Sequence, residues 1–381
     1  MKRIQVIDGL RGFALLGILL VNIQFFNESL QAISLGGDSL QVGLNRIVDL
    51  LLSIFVEGKF MLLFSFLFGY GAVILFNNTL EKNTRFTPLF MKRMSALLFF
   101  GILHGIYIWY GDILTSYALV GLLLLPFMKR RPKTLLISSI ISMLLIPLLM
   151  TLPLLASTSY GIVPYTDAEV SEAIQQSQEH DRQIYGSGTM AEIQQQRIND
   201  YLSSFFNMIL FFPQILGTFL LGAYFAKLKL LENTNKQKPF YIKLVLIGGP
   251  LGICLQLPKL FSASQNMIFE VLSAFIAGPL LMLAYVSLFA LAFHRYNRQL
   301  RFFSDIGRMG FSMYILQSVI CSLIFYSYGL GLFGELELWQ TTLMAFFIYG
   351  FQVLLSSVWL RRFRTGPLEY IWRLLYRGKV A

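Results

Sequence analysis

Long apolar runs, each near twenty residues, recur along almost the whole chain. An α-helix needs about 20 such residues to cross the ~30 Å hydrocarbon core of a bilayer. The pattern predicts ten spans, at residues 10–26, 47–76, 91–110, 112–128, 134–156, 205–227, 240–257, 266–293, 309–328 and 338–360. We therefore expect an all-α, polytopic transmembrane helical bundle that forms a single domain over residues 1–381.

One long polar stretch, residues 157–204, interrupts this pattern. It carries seven acidic residues and apolar residues at helical spacing, and glycines at 186 and 188 divide it. This spacing is typical of one or two amphipathic helices. The segment is predicted to be an extracytoplasmic helical loop within the membrane domain, either capping a cavity or simply connecting two spans.

Composition and charge support a membrane protein and set its orientation. Hydrophobic residues make up 56% of the chain and charged residues only 13%, which is too little charge for a soluble domain of this length. The net charge of +11 does not indicate nucleic-acid binding, because 26 of the 31 basic residues lie at the two ends and in alternate connections. By the positive-inside rule, both termini are cytoplasmic and the lipid bilayer is the main partner.

The chain shows no pattern typical of a metal site or a disulfide framework. Cys254 and Cys321 each lie inside an apolar run, and His180 and His294 fall in connections on opposite sides of the membrane. Two isolated thiols of this kind are typical of buried structural cysteines.

Ionisable residues inside the spans are the strongest candidates for chemistry, because burying charge in lipid is costly. Counting ~1.5 Å per residue from each span's entry places Glu57, Lys59 and His104 at a similar, mid-membrane depth. His104 could act as a general base oriented by Glu57 or Asp112, and Lys59 could stabilise developing negative charge. The alternative is a structural polar cluster that holds helices together.

A second group of candidates lies toward the cytoplasmic end. Asp8 and Arg11 are one helical turn apart, so they can pair with each other or bind a charged ligand. Arg308 is at the same level on the ninth span and could bind a phosphate-bearing ligand. Tyr314 and Gln317 follow on one face of that span and are predicted to belong to the same ligand site.

Several motifs resemble the YeiB-like family of bacterial inner-membrane proteins. They are IDGLRGFALLGI at residues 7–18, GKFMLLFSFLFGYG at 58–71, LHG at 103–105, WYGDIL at 109–114, GRMGFSMYILQS at 307–318 and GPLEYIWR at 366–373. The Asp-x-x-Arg-Gly entrance is also distantly similar to transmembrane acyltransferases of the heparan-α-glucosaminide N-acetyltransferase type. That resemblance implies acyl transfer from a cytoplasmic acyl-CoA, with a donor pocket near Asp8 and Arg11. The catalytic histidine of that enzyme follows its first span, whereas here His104 would serve from a different helix.

Three functions remain open from the sequence. The first is an acyltransferase of the bacterial inner membrane, with acyl-CoA as co-substrate, no bound cofactor, and an envelope glycan, lipid or small molecule as acceptor. The second is a small-solute transporter with a charged site at the midplane. The third is a non-catalytic membrane partner. A homodimer is compatible with each of them.

Overall fold

The computed structural model describes residues 4–35, 42–160, 167–232, 234–257, 271 and 273–377. Within these residues the secondary structure is entirely helical, as predicted. The α-helices are α1 (Gln5–Asn27), α2 (Leu30–Ser34), α3 (Gly43–Phe55), α4 (Lys59–Glu81), α5 (Phe86–Tyr107), α6 (Leu114–Leu122), α7 (Pro132–Tyr160), α8 (Asp167–Asp181), α9 (Met190–Ile209), α10 (Phe212–Lys227), α11 (Lys238–Lys243), α12 (Gly249–Cys254), α13 (Gly278–Arg295), α14 (Arg301–Arg308), α15 (Gly310–Phe325), α16 (Leu338–Arg362) and α17 (Pro367–Arg377).

Six helical segments in the described part of the chain are long and apolar enough to cross a membrane, with α3 and α4 counted together as one segment. Two further spans result if each sharply bent pair, α9 with α10 and α14 with α15, crosses once. Ten spans and the cytoplasmic termini therefore stay predictions. The segment predicted at 112–128 forms α6, whose nine residues rise only about 14 Å. The first residues of the span predicted at 266–293, and residues 161–166 of the predicted loop, lie outside the described residues.

The second predicted span is broken near its middle. Helix α3 ends at Phe55 and α4 begins at Lys59, and between them Gly58 has φ +74°, a conformation that favours glycine. The segment is therefore broken at Gly58, whereas Gly69 lies within the continuous helix α4.

Helix α1 lies at the centre of the bundle and contacts α4, α13, α14, α15 and α16. Its approach to α14 depends on two glycines. A β-carbon on Gly12 would come within 1.9 Å of the Phe303 carbonyl oxygen, and one on Gly307 within 1.9 Å of the Asp8 carbonyl oxygen. Because Arg11 and Arg308 adjoin these glycines in the sequence, the close packing brings the two arginines to one end of the bundle.

Candidate functional site

The centre of the candidate site is formed where α5 ends. The chain turns after Tyr107, and the Asp112 carboxylate returns to His104, with His104 Nδ1 2.9 Å from Asp112 Oδ1. The second carboxylate oxygen accepts a hydrogen bond of 2.8 Å from the Thr115 backbone N–H at the start of α6. Gly101 makes this approach possible, because a β-carbon there would lie 2.8 Å from Asp112 Oδ2.

The other nitrogen of His104 contacts a serine from a distant part of the chain. His104 Nε2 lies 2.9 Å from the Ser318 Oγ on α15. The three side chains form a Ser–His–Asp array, and all are buried, with His104 1% and Ser318 2% exposed. Both ring nitrogens are therefore engaged, and Asp112, rather than Glu57, is the carboxylate that orients the imidazole.

Sequence reasoning missed Ser318. It is one of three buried serines on α15, together with Ser312 and Ser322. Serines in apolar helices commonly bond to the backbone of the preceding turn, so a serine alone indicates no chemistry. The hydroxyl of Ser312 donates to Glu369 and that of Ser322 to the Val319 carbonyl. Only the fold shows that Ser318 faces an imidazole.

A cavity of about 480 Å³ extends from one end of the bundle toward this array. Its wall includes Ile4, which precedes α1, and Ile18 within α1, and these lie about 20 Å apart along the helix axis at ~1.5 Å per residue. The predicted ligand residues Asp8, Arg11, Arg308 and Tyr314 all contribute to the wall.

Arginine side chains line the end of this cavity that is remote from the array. In the predicted topology this is the cytoplasmic end. Beyond Arg11 and Arg308, the wall includes three arginines that sequence reasoning did not select for the site: Arg93, Arg373 and Arg377. Such a concentration of guanidinium groups favours a ligand that carries phosphates.

The predicted ion pair between Asp8 and Arg11 is present at the arginine-lined end of the cavity. Arg11 Nη1 donates to Asp8 Oδ1 at 3.0 Å, while Arg308 donates to the Arg364 carbonyl at 2.9 Å. The carboxylate fixes the direction of the Arg11 side chain, which is about one third exposed. The pair therefore forms part of the wall and leaves Arg11 accessible to a ligand.

Helix α17 contributes aromatic groups beside the arginines. The Arg93 guanidinium lies 4.6 Å from the Trp372 ring centroid, and Tyr376 lines the same wall. The helix is held in place by Glu369, whose carboxylate accepts hydrogen bonds from the backbone N–H groups of Phe311 at 2.7 Å and Ser312 at 3.2 Å. An acidic group at these free N–H groups stabilises the start of α15.

Tyr314 separates the cavity from the buried array. Its ring lines the cavity and its centroid lies 5.2 Å from that of the His104 imidazole. Its hydroxyl donates a long hydrogen bond of 3.4 Å to the Gly111 carbonyl and also contacts the Ile113 backbone. Tyr314 therefore lies between the cavity and the His104 imidazole.

Three other predicted residues lie elsewhere. Gln317 is 2.9 Å from Gln352 and joins α15 to α16 outside the cavity wall. Lys59 is buried and donates to the Ser53 carbonyl at 2.5 Å, and Glu57 lies in the turn between α3 and α4. The cavity wall includes neither Glu57 nor Lys59. The structure thus brings His104 together with Asp112 and Ser318. The Lys59 ammonium group instead lies beside the Ser53 carbonyl.

Long apolar helices around a buried polar array define a polytopic α-helical membrane protein. The chain belongs to the family described as "Protein of unknown function (DUF418)", whose model matches residues 225–379. It is 37% identical over 396 residues to the uncharacterized protein YxaH of Bacillus subtilis (strain 168), covering 98% of this chain and 94% of that protein. It is 28% identical over 393 residues to the uncharacterized protein YeiB of Escherichia coli (strain K12), covering 98% and 96%. The predicted YeiB-like membership is therefore confirmed. No solved structure matches the chain.

Proposed function

We propose that this protein is an acyltransferase of the bacterial inner membrane. It takes an acyl group from a cytoplasmic acyl-CoA-type thioester and transfers it to a hydroxyl or amine of a cell-envelope glycan, lipid or small molecule. The observation that carries the proposal is the cavity that begins among arginines and ends at Tyr314, whose ring contacts the buried His104–Asp112 pair.

His104 is suited to act as a general base in this reaction. The Asp112 carboxylate accepts a hydrogen bond from His104 Nδ1, which holds the ring proton on that nitrogen. Nε2 is then left as the acceptor and can remove a proton from an attacking hydroxyl or amine. Asp112 also stabilises the imidazolium that forms.

The donor carbonyl needs a hydrogen-bond donor for its developing negative charge. The sequence assigned this role to Lys59, but its ammonium donates to Ser53 and does not line the cavity. Tyr314 is better placed, because it lines the cavity next to the imidazole and the hydrogen bond that its hydroxyl donates to the Gly111 carbonyl is long, at 3.4 Å. We assign the oxyanion-stabilising role to Tyr314.

The arginine-lined end of the cavity, away from Tyr314, suits the nucleotide part of an acyl-CoA donor. Its phosphates would pair with the guanidinium groups of Arg93, Arg373 and Arg377, which line the wall. Trp372 and Tyr376 supply aromatic surface on which a purine ring can stack. The acyl chain would then extend along the apolar wall toward Tyr314.

The test is turnover of radiolabelled acetyl-CoA and longer acyl-CoA thioesters by the full-length protein in lipid nanodiscs, with bacterial envelope extract as the acceptor. We expect release of free CoA, and His104→Ala should lower its rate about 10³-fold or more, because the general base is lost. The matched control is His294→Ala, a change of an exposed histidine, which should turn over normally.

Two results would contradict the proposal. One is an absence of CoA release from every thioester, and the other is turnover that survives His104→Ala unchanged. In either case, solute flux into proteoliposomes that depends on a pH gradient would favour a transporter instead.

A further inference from the structure

We propose that Ser318 is the nucleophile of this site and that it carries the acyl group as a covalent ester between donor and acceptor. This inference rests on the proposed acyl transfer, and it adds a second chemical step and a catalytic residue. Its basis is the Ser318–His104–Asp112 array, in which the Nε2–Oγ and Nδ1–Oδ1 distances are both 2.9 Å.

The hydrogen-bond directions in this array suit nucleophilic catalysis. With the ring proton held on Nδ1 by Asp112, Nε2 can only accept, so the Ser318 hydroxyl donates to it. The competing contact of this hydroxyl, to the Tyr314 carbonyl one turn earlier, is weak at 3.5 Å. The serine proton therefore already points at the base that would remove it.

The position of the serine relative to the cavity supports the same role. Ser318 and Tyr314 lie one helical turn apart on α15, and Tyr314 forms the inner end of the cavity. Another side of the imidazole is covered by Trp109, whose ring centroid lies 6.4 Å away and whose indole stacks on Phe26. Tyr314 thus lies between the cavity and the array, while Trp109 and Phe26 lie on another side of the imidazole.

In the first step, Ser318 Oγ attacks the thioester carbonyl while His104 Nε2 takes the hydroxyl proton. The carbon–sulfur bond breaks, and the imidazolium returns the proton to the leaving thiolate, giving free CoA and acyl-Ser318. In the second step, the acceptor hydroxyl or amine attacks the ester and His104 takes its proton. The bond to Ser318 Oγ breaks and the serine regains the proton, so no other reactant is needed.

A covalent acyl-serine intermediate would allow the donor and the acceptor to bind at different times. The donor enters from the arginine-lined end, whereas an acceptor in the cell envelope would come from the other side of the membrane. A direct transfer would need both substrates to meet at one buried point. With acyl-Ser318, CoA can leave before the acceptor arrives, and the narrow, buried site never holds both.

The experiment uses a serine-reactive fluorophosphonate on the full-length protein in nanodiscs, followed by peptide mass spectrometry. We expect the adduct on Ser318, its loss in Ser318→Ala, and labelling at least about 10-fold slower in His104→Ala, because the base that activates the hydroxyl is removed. The matched control is Ser322→Ala, which removes an equally buried serine one turn further along α15 and should leave labelling unchanged.

A second measurement detects the intermediate itself. Radiolabelled acetyl-CoA without acceptor should leave an acid-stable acetyl group on the Ser318 peptide and release a burst of about one CoA per protein. Ser318→Cys keeps a nucleophile and should still acquire the label. Absence of fluorophosphonate labelling at Ser318, or undiminished acyl transfer in Ser318→Ala, would overturn the inference.

The outcomes also separate this inference from the proposed function. Fluorophosphonate labelling does not depend on the donor, so labelled Ser318 without thioester turnover would support the nucleophile and refute the acyl-CoA donor. Turnover that needs His104 but not Ser318 would support the acyltransferase and refute the covalent acyl-serine intermediate.

Discussion

Replacing Asp112 by asparagine is the sharpest test of the buried array, because it changes charge and hydrogen-bond direction but not shape. In the structure, the two carboxylate oxygens accept from the His104 ring and from the Thr115 backbone N–H, at 2.9 and 2.8 Å. An asparagine has one acceptor and one donor group in their place. The Thr115 N–H needs the acceptor, so the amide NH₂ faces His104 Nδ1.

This arrangement selects the wrong form of the imidazole. Nδ1 must then accept, the ring proton moves to Nε2, and the nitrogen that faces Ser318 can no longer remove a proton. Turning the amide around would place NH₂ against the Thr115 N–H and leave a buried donor unpaired, at a cost of about 1–3 kcal/mol. The variant also loses the negative charge that stabilises the imidazolium, which lowers the rate further. The same Asp→Asn change in a serine protease lowers turnover about 10⁴-fold.

We therefore expect Asp112→Asn to lower thioester turnover by about 10³- to 10⁴-fold. Steady-state CoA release measures the effect, and thermal unfolding in the same nanodiscs checks that the fold is kept. The double variant with His104→Ala should be no slower than His104→Ala alone, because Asp112 acts through the imidazole. More than a tenth of the wild-type rate in Asp112→Asn, or a multiplicative loss in the double variant, would refute this reasoning.

Three further changes test the rest of the site. Tyr314→Phe should lower the maximal rate about 10²-fold with little change in donor affinity, because it removes one hydrogen bond to the developing oxyanion; equal loss in donor binding would show a packing role instead. Arg373→Gln should weaken CoA binding measured by calorimetry about 10-fold or more, and the exposed Arg301→Gln serves as the control; equal binding by both variants would remove Arg373 from the site. Gly307→Ala should lower the unfolding temperature, because its β-carbon would meet a carbonyl oxygen at 1.9 Å, whereas Gly310 has nothing within 4 Å and its alanine variant should melt normally.

The hydrophobic pattern was sufficient to predict an all-helical membrane protein, because lipid requires long apolar helices with internally satisfied backbone groups. It was less informative where helices are short or bent. A run such as residues 112–128 has the length of a span, yet it contains a nine-residue helix and a separate 3₁₀ turn at Leu125–Phe127. Hydrophobicity measures the solvent that a segment prefers, and it does not report where the backbone turns.

Part of the site was also visible in the sequence. His104 and Asp112 are eight residues apart, so a turn after α5 is enough to bring them together. Both are ionisable residues in apolar runs, and because burying such groups is costly, each is a candidate functional residue. Ser318 could not be found in this way, because it lies 214 residues further along the chain and a hydroxyl in an apolar helix is common. Lys59 was selected for its charge and depth, but its ammonium group donates to the Ser53 carbonyl near the α3–α4 junction and the cavity wall does not include it.

The motifs near the two ends of the chain have a shared physical basis. Arg11 is followed by Gly12 and Arg308 is preceded by Gly307, and each glycine admits the backbone of the other helix at a distance that no side chain would allow. The same small residues that let α1 and α14 touch therefore place two guanidinium groups at the cavity entrance. Because α15 continues from α14 after a bend of 82°, the contact that sets the entrance also sets the direction of the helix that carries Tyr314 and Ser318. The donor entrance and the buried array are thus connected through one helix pair, so a change at Gly307 should disturb both binding and catalysis.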